Sequence, residues 1–137
     1  MDKFDFKVVT PEGVKFTKSL RSIIVRTIDG DIEILPHHMP LITPVTNGIV
    51  TIDDLSKKEQ CFSGKGIIKV TDKDVTLLVS AFNTKEEIDV ERARRARERA
   101  LNKLKGNKPG LDKARAKDAL ERAEIRLKLV LGGKVNG

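Results

Sequence analysis

The 137-residue sequence contains no tryptophan and no tyrosine, and its only aromatic side chains are five phenylalanines. Platforms that stack on single-stranded bases are built from such residues, so a nucleic-acid reader of that type has little material here. A single cysteine, Cys61, excludes an intramolecular disulfide and fits a reducing compartment. No apolar run approaches the ~20 residues that a bilayer-spanning helix needs. The opening Met1-Asp2-Lys3-Phe4-Asp5 has no apolar stretch after its charges and does not read as a secretory leader. Membrane association is therefore expected to go through a partner. No Gly-x-x-x-x-Gly-Lys-Ser/Thr loop is present, so a Walker-type phosphate cradle is missing and hydrolysis by this chain alone is not supported.

What is present falls into two contrasting parts. Residues 1–87 hold 12 Lys/Arg and 13 Asp/Glu, whereas residues 88–137 hold 15 and 7. The net charge of +7 thus lies wholly in the C-terminal part. The first part is rich in Val, Ile and Thr and punctuated by Gly, Pro and Asn. The second is rich in Ala, Arg, Lys and Leu. This pattern predicts an α+β chain, a β-sandwich over 1–83 followed by an antiparallel helical hairpin over 84–137.

In the first part, short alternating apolar segments are predicted as strands at 4–9, 14–16, 19–27, 32–35, 41–45, 49–52, 60–62, 67–71 and 75–80, giving about ten short strands. Pro11-Glu12-Gly13, Asp29-Gly30, Asn47-Gly48, Gly64-Lys65-Gly66 and Asp72-Lys73-Asp74 read as turns, Asn47-Gly48 as a strong hairpin signal. No helical crossover separates these segments, so antiparallel sheets are expected. Cys61 falls in a predicted strand and reads as a small core residue.

In the second part, Thr84-Lys85-Glu86-Glu87 has capping-box spacing and Asp89 offers another cap. Ala93, Ala96, Ala100, Leu101 and Leu104 mark the apolar face of a first helix ending near Leu104. Gly106-Asn107-Lys108-Pro109-Gly110 reads as the turn. Asp112 can cap a second helix with Ala116, Ala119, Leu120, Ala123, Leu127 and Val130 on its apolar face, ended by Gly132-Gly133. Alanine faces let helices approach closely but bury little area, so the hairpin is expected to pack weakly.

The stretch Gly30-Asp31-Ile32-Glu33-Ile34-Leu35-Pro36-His37-His38-Met39-Pro40-Leu41-Ile42-Thr43 resembles the signature loop of the epsilon subunit of bacterial F-type ATP synthases. Ile88-Asp89-Val90-Glu91-Arg92-Ala93 is similar to that family's I/L-D-x-x-R-A motif. Two positions depart from the pattern: Glu33, where Gly is common, and Asn83, where ATP-binding members can carry Glu. The resemblance implies a central-stalk subunit of a proton-driven ATP synthase, peripheral to the cytoplasmic face of the bacterial plasma membrane. It implies docking on the gamma subunit and the membrane ring, with Asp31, His38, Met39 and Pro40 at the interface. It further implies a hairpin that folds back or extends toward the alpha/beta catalytic head, where it blocks hydrolysis. ATP is the implied regulatory ligand, with Mg²⁺ a candidate companion. Its implied contacts are Ile88, Asp89, Arg92, Ala93, Arg99, Arg122 and Arg126.

The residues themselves allow that site. Arg92, Arg95 and Arg99 follow helical spacing, as do Arg122 and Arg126, and an antiparallel hairpin would bring Arg92 within about a turn of the second pair. A guanidinium fork stays charged and donates paired hydrogen bonds to phosphate. The plainer alternative is a solvated basic face, with Asp89–Arg92 a surface pair contributing under ~1 kcal/mol. Two other uses of the hairpin stay open on sequence grounds: a nucleic-acid-binding module and a free-standing nucleotide sensor. The adjacent His37 and His38 lack Cys or Glu at ligand spacing and read as turn or interface residues, not metal ligands.

Overall fold

Phe4, Phe6 and Val8 alternate with Asp5 and Lys7, and this two-residue period makes the first segment a strand with one buried face. The same logic repeats through residues 4–84. The computed structural model describes residues 2–106 and 112–132. The chain divides into two units, Met1–Thr84 and Lys85–Gly137.

The first unit holds ten strands: β1 (Phe4–Thr10), β2 (Gly13–Leu20), β3 (Ser22–Thr27), β4 (Gly30–Ile34), β5 (Leu41–Val45), β6 (Gly48–Asp53), β7 (Lys58–Ser63), β8 (Gly66–Val70), β9 (Asp74–Val79) and β10 (Phe82–Thr84). They form two five-stranded sheets, β2-β1-β9-β8-β5 and β10-β7-β6-β3-β4. One core joins them, drawing Phe6, Val8, Ile68 and Leu77 from the first sheet and Ile23, Val25, Ile52 and Cys61 from the second. The β-sandwich and the reading of Cys61 as a core residue both hold.

Several expectations are corrected. The single strand over 19–27 is two, because the chain changes sheets at Arg21, whose backbone N–H donates to the Asp53 carbonyl at 2.7 Å. The sheets are not wholly antiparallel: β1 and β9 pair in parallel. No helical crossover is needed, because the intervening chain passes through both sheets before returning beside β1. Asn47-Gly48 is not a hairpin turn, since β5 and β6 belong to different sheets. Asn47 is buried there, and its side-chain oxygen accepts from the Lys65 N–H at 3.0 Å. Gly64-Lys65-Gly66 is likewise a corner between sheets, from β7 to β8. Asp29-Gly30 does close the β3–β4 hairpin, with Gly30 at φ +113°.

The second unit opens with a single 3₁₀ turn at Lys85–Glu87, followed by α1 (Val90–Lys105) and α2 (Lys113–Leu131). Thr84, the last residue of β10, stands directly before the 3₁₀ turn and not before α1. Asp89 caps α1 instead, its carboxylate accepting from the Arg92 N–H at 3.1 Å. Asp112 caps α2 in the same way through the Arg115 N–H at 3.0 Å. Gly132, at φ +69°, closes α2 in the left-handed conformation that glycine adopts freely. Most of the expected 106–110 turn, and Gly133, lie outside the described residues. The buried side chains of the pair are Ala93, Ala100, Ala116, Ala123, Leu127 and Leu129. Leu129 takes the buried place expected of Val130, which is half-buried.

The β6–β7 turn is held by one carboxylate. Asp54 accepts from Ser56 Oγ at 2.6 Å and from the N–H groups of Ser56 and Lys57 at 2.9 Å, and it pairs with Lys18 Nζ of β2 at 2.9 Å. This network steadies a turn in which Leu55 sits at φ +80°, an unfavourable conformation for a bulky residue. Hydrogen bonding by Ser56, with Lys18 and Lys57 adding to it, holds the Asp54 carboxyl well below the usual carboxylate range.

Two outcomes are expected. A Cβ at Gly66 would run into the carbonyl oxygen of Leu78 on the neighbouring strand, a backbone atom that cannot step aside cheaply. Gly66→Ala should therefore lower stability by roughly 1–3 kcal/mol, read as a lower urea midpoint at unchanged m. For Asp54 the folded-state pKa is depressed, so its contribution is fully present above the unfolded value of about 3.9 and is lost progressively as pH falls below it. The stability gap between the native chain and Asp54→Asn should then be constant from pH 8 to about pH 5 and shrink at lower pH. A gap that does not change with pH would deny Asp54 this role.

Candidate functional site

Helix α1 carries Arg92, Arg99 and Lys103, and α2 carries Arg115, Arg122 and Arg126. At ~100° per residue, steps of seven and four return to nearly the same side of a helix, so each set forms a stripe. The helices pack along one another. Between them lies a cleft of about 540 Å³, lined by Ala96, Ala100, Ala116 and Ala119 at its floor and by Arg99, Lys103, Arg115, Arg122 and Arg126 at its sides. That volume is within the ~300–1,000 Å³ usual for small-ligand sites. Asp112 is the one carboxylate among the lining residues.

The cleft's electrostatics follow from crowding of like charge. Arg126 is pushed below the ordinary arginine range, first by burial and then by the neighbouring charges of Arg122 and Arg92. Arginine's starting pKa is so high that Arg126 stays cationic at neutral pH despite this shift. Arg122 is paired with Asp118 one turn earlier on its own helix. On the flank of the hairpin, Arg97 Nε stands 3.7 Å from Glu124 Oε2, a Coulombic tie between the helices. Concave shape, excess positive charge and guanidinium forks together suit a phosphate-bearing anion.

The site residues expected from the sequence divide as follows. Arg99, Arg122 and Arg126 line one cleft, and Arg92 lies close enough to Arg126 to act on its charge. Ala93 is buried on the inner face of α1, and Ile88 is half-buried just before the helix. Asp89 is exposed, with one carboxylate oxygen engaged as the helix cap. Arg95, placed by spacing beside Arg92 and Arg99, is exposed and does not line the cleft. Lys103 and Arg115 line it and were missed. Their signal was legible, because the seven-then-four spacing occurs once in each helix. Among the described residues no group of three or more His, Cys, Asp or Glu stands together to hold a metal ion.

On the sandwich, the loop between β4 and β5 is fixed by its own hydrogen bonds. The His38 N–H donates to the Leu35 carbonyl at 3.2 Å, and His38 Nδ1 lies 2.7 Å from the Met39 carbonyl. His37, at φ +65°, meets Asp2 at 2.9 Å. Asp31, Met39 and Pro40 are exposed, Met39 at 79 %, while His38 is half-buried. Elsewhere on this unit, one register row crosses the whole outer face of the first sheet as Pro44, Ile67, Leu78, Val9 and Val14. Ile67 is 40 %, Leu78 39 % and Val14 61 % exposed, an unusually apolar row for a solvent-facing sheet.

Residues 3–85 match the family described as ATP synthase, Delta/Epsilon chain, beta-sandwich domain, and residues 86–130 match the companion long alpha-helix domain. The chain belongs to the ATP synthase delta/epsilon family. It is 42 % identical over 130 residues to the ATP synthase epsilon chain of Moorella thermoacetica, covering 93 % of this chain and 96 % of that one. It is 39 % identical over 131 residues to the epsilon chain of Caldanaerobacter subterraneus, covering 94 % and 95 %. The fold also resembles a chain of the mitochondrial ATP synthase of Euglena gracilis, with a TM-score of 0.77 at 21 % identity, covering 98 % of this chain and 82 % of that one. The delta/epsilon assignment makes the chain a non-catalytic stalk subunit of the ATP synthase complex. It does not favour the nucleic-acid-binding and free-standing-sensor alternatives.

Proposed function

We propose that the chain is the ATP-sensing regulator of a proton-driven ATP synthase, seated on the central stalk at the cytoplasmic face of the membrane. The observation that carries this reading is the crowding of Arg92, Arg122 and Arg126, with Arg99 in the same cleft. Such crowding raises the energy of the closed hairpin until an anion enters. ATP matches the cleft in charge and in the ~10 Å that separates Arg92 from Arg99 along the helix axis. In the closed hairpin Ile88 and Ala93 flank the base, Asp89 accepts from base or ribose through the oxygen not used in capping, and the arginines neutralise phosphate. Mg²⁺ is retained only as a companion of the phosphates.

The regulatory consequence follows from linkage. Both arginine rows meet only when the helices are paired, so ATP favours the paired state by its differential affinity. When ATP is scarce the extended form gains, and the basic second helix reaches acidic surfaces of the alpha/beta head and stops hydrolysis. Replacing Arg92 or Arg126 with Ala removes a charge-assisted contact, so ATP affinity should fall by ~1.5–3 kcal/mol, or roughly 10- to 150-fold. Calorimetric titration of the isolated protein tests this, and unchanged affinity in both variants removes the site.

Docking on the gamma subunit and the membrane ring is assigned to the sandwich. Its support is the stiff, exposed loop through Met39 and Pro40 together with the apolar row through Ile67 and Leu78. A chain ending at Thr84 should still bind the stalk in a pull-down with the gamma subunit, and Ile67→Glu in that chain should weaken it. A folded truncation that fails to bind would move docking to the helices.

A further inference from the structure

Leu55 stands in a backbone conformation that its side chain opposes. In the turn between β6 and β7 the Asp54 N–H donates to the Lys57 carbonyl at 3.2 Å, so Leu55 and Ser56 are the two central residues. Of these only Leu55 has a positive φ, at +80°. A hairpin turn with positive φ at its first central position is normally built on glycine there, because a Cβ is crowded in that region. Asp53 Oδ1 accepts from the Leu55 N–H at 2.9 Å and, with the Asp54 network, holds the turn in this shape. The part-buried apolar side chains packed on the sandwich core are Phe16, Ile32 and Leu41, whereas Leu55 is 45 % exposed. A strained bulky residue that does not join the core points to a use outside the chain.

Charge around the turn is sorted by depth. The carboxylates of Asp53, Asp54 and Glu59 are half-buried and engaged by Arg21, Lys18 and Lys57. Lys57 and its neighbour Lys58 are exposed. The tip is therefore apolar at Leu55 and cationic beside it. The register fixes where this tip stands. Asp53 opposes Ser22, one step beyond the row Ile52–Ile23–Ile34 from which β4 enters the loop to β5. In the other sheet Lys18, the residue bound to Asp54, shares the row Lys18–Phe6–Val75–Val70–Leu41, and β5 begins at Leu41. Both ends of the β4–β5 loop thus lie at the end of the sandwich that carries the β6–β7 turn. Leu35, the first residue of that loop, is 46 % exposed.

We propose that Leu55 is a docking side chain, which enters an apolar recess edged by carboxylates on the protein subunit of the ATP synthase complex that receives the β4–β5 loop. Lys57 and Lys58 meet the carboxylates at the rim of that recess. The inference rests on the docking reading above and extends it, adding a residue that neither the loop nor the apolar row of the first sheet contains. Leucine is kept at a position suited to glycine because its side chain is buried only in the complex.

The test titrates the full chain into the ATP synthase complex stripped of it, and measures the urea stability of the isolated chain alongside. Leu55→Gly and Leu55→Asn both suit a positive φ. Each should raise the urea midpoint of the isolated chain and weaken association about 10-fold or more, the loss expected for one buried leucine. Leu55→Met should retain association, and Lys57→Gln/Lys58→Gln should weaken it less and reduce its salt dependence. A more stable chain that binds more weakly is a signature that a merely structural residue does not give. Raised stability with association unchanged overturns the inference. So does lowered stability in both variants, which would make Leu55 a packing residue, and so does a loss confined to self-association of the isolated chain, which would make the occupant a second copy. The docking reading fails separately: if Ile67→Glu leaves association intact while Leu55→Gly weakens it, the apolar row falls and the present inference stands.

Discussion

The hairpin sets like charge against like charge over a floor of alanine. Arg92 and Arg122 are both close enough to act on the charge of Arg126, while the side chains buried along the two helices are mainly Ala93, Ala100, Ala116 and Ala123, joined by Leu127 and Leu129. Small side chains allow the close approach that creates a cleft, but they contribute little burial to oppose the repulsion. Local devices supply the rest: caps at Asp89 and Asp112, a closing Gly132 and the Arg97–Glu124 tie. A hairpin built this way is good helix and weak tertiary structure, and such an element can be biased by a ligand.

The sandwich is organised on the opposite principle. Its core is continuous through both sheets, and its corners are fixed by particular atoms: Asn47 against Lys65, Gly66 beneath Leu78, and Asp54 holding its turn to Lys18. It offers a rigid platform with an apolar outer row and a stiff loop. The proposed function divides the labour accordingly: one unit keeps its shape to be held by partners, and the other stays near balance to respond. Membership of the delta/epsilon family supplies the setting, a non-catalytic subunit of the ATP synthase complex.

Much of this was legible in the sequence because period and punctuation were clear. Two-residue alternation gave the strands, and the Ala/Arg/Lys-rich tail gave the helices. What failed was long-range. Asn47-Gly48 carries a hairpin dipeptide, but the dipeptide reports only the local backbone, and whether the next strand pairs with the last is decided by the core. The parallel β1–β9 pair was hidden for the same reason, since sequence separation says nothing about a wrap through two sheets. In the hairpin, helical spacing put Arg92 and Arg99 on one face and Arg122 and Arg126 on another, while the family resemblance joined them as one site. Arg95 was over-counted, because a three-residue step lands about 60° off the stripe. Lys103 and Arg115 were overlooked because no motif names them, although their spacing repeats that of the other arginines.

Native-state hydrogen exchange of the α1 and α2 amides, with and without ATP, tests the central claim most directly. If closure of the arginine rows is the unfavourable step that ATP offsets, protection across Ala119–Ala123 should rise with ATP as RT ln(1 + [L]/Kd), about 2.7 kcal/mol at a hundredfold excess over Kd. The amides of β1 and β9 should be unaffected. Added salt without ATP should give a smaller gain, because screening relieves the same repulsion. ATP that binds while leaving the protection of α2 unchanged would contradict the account.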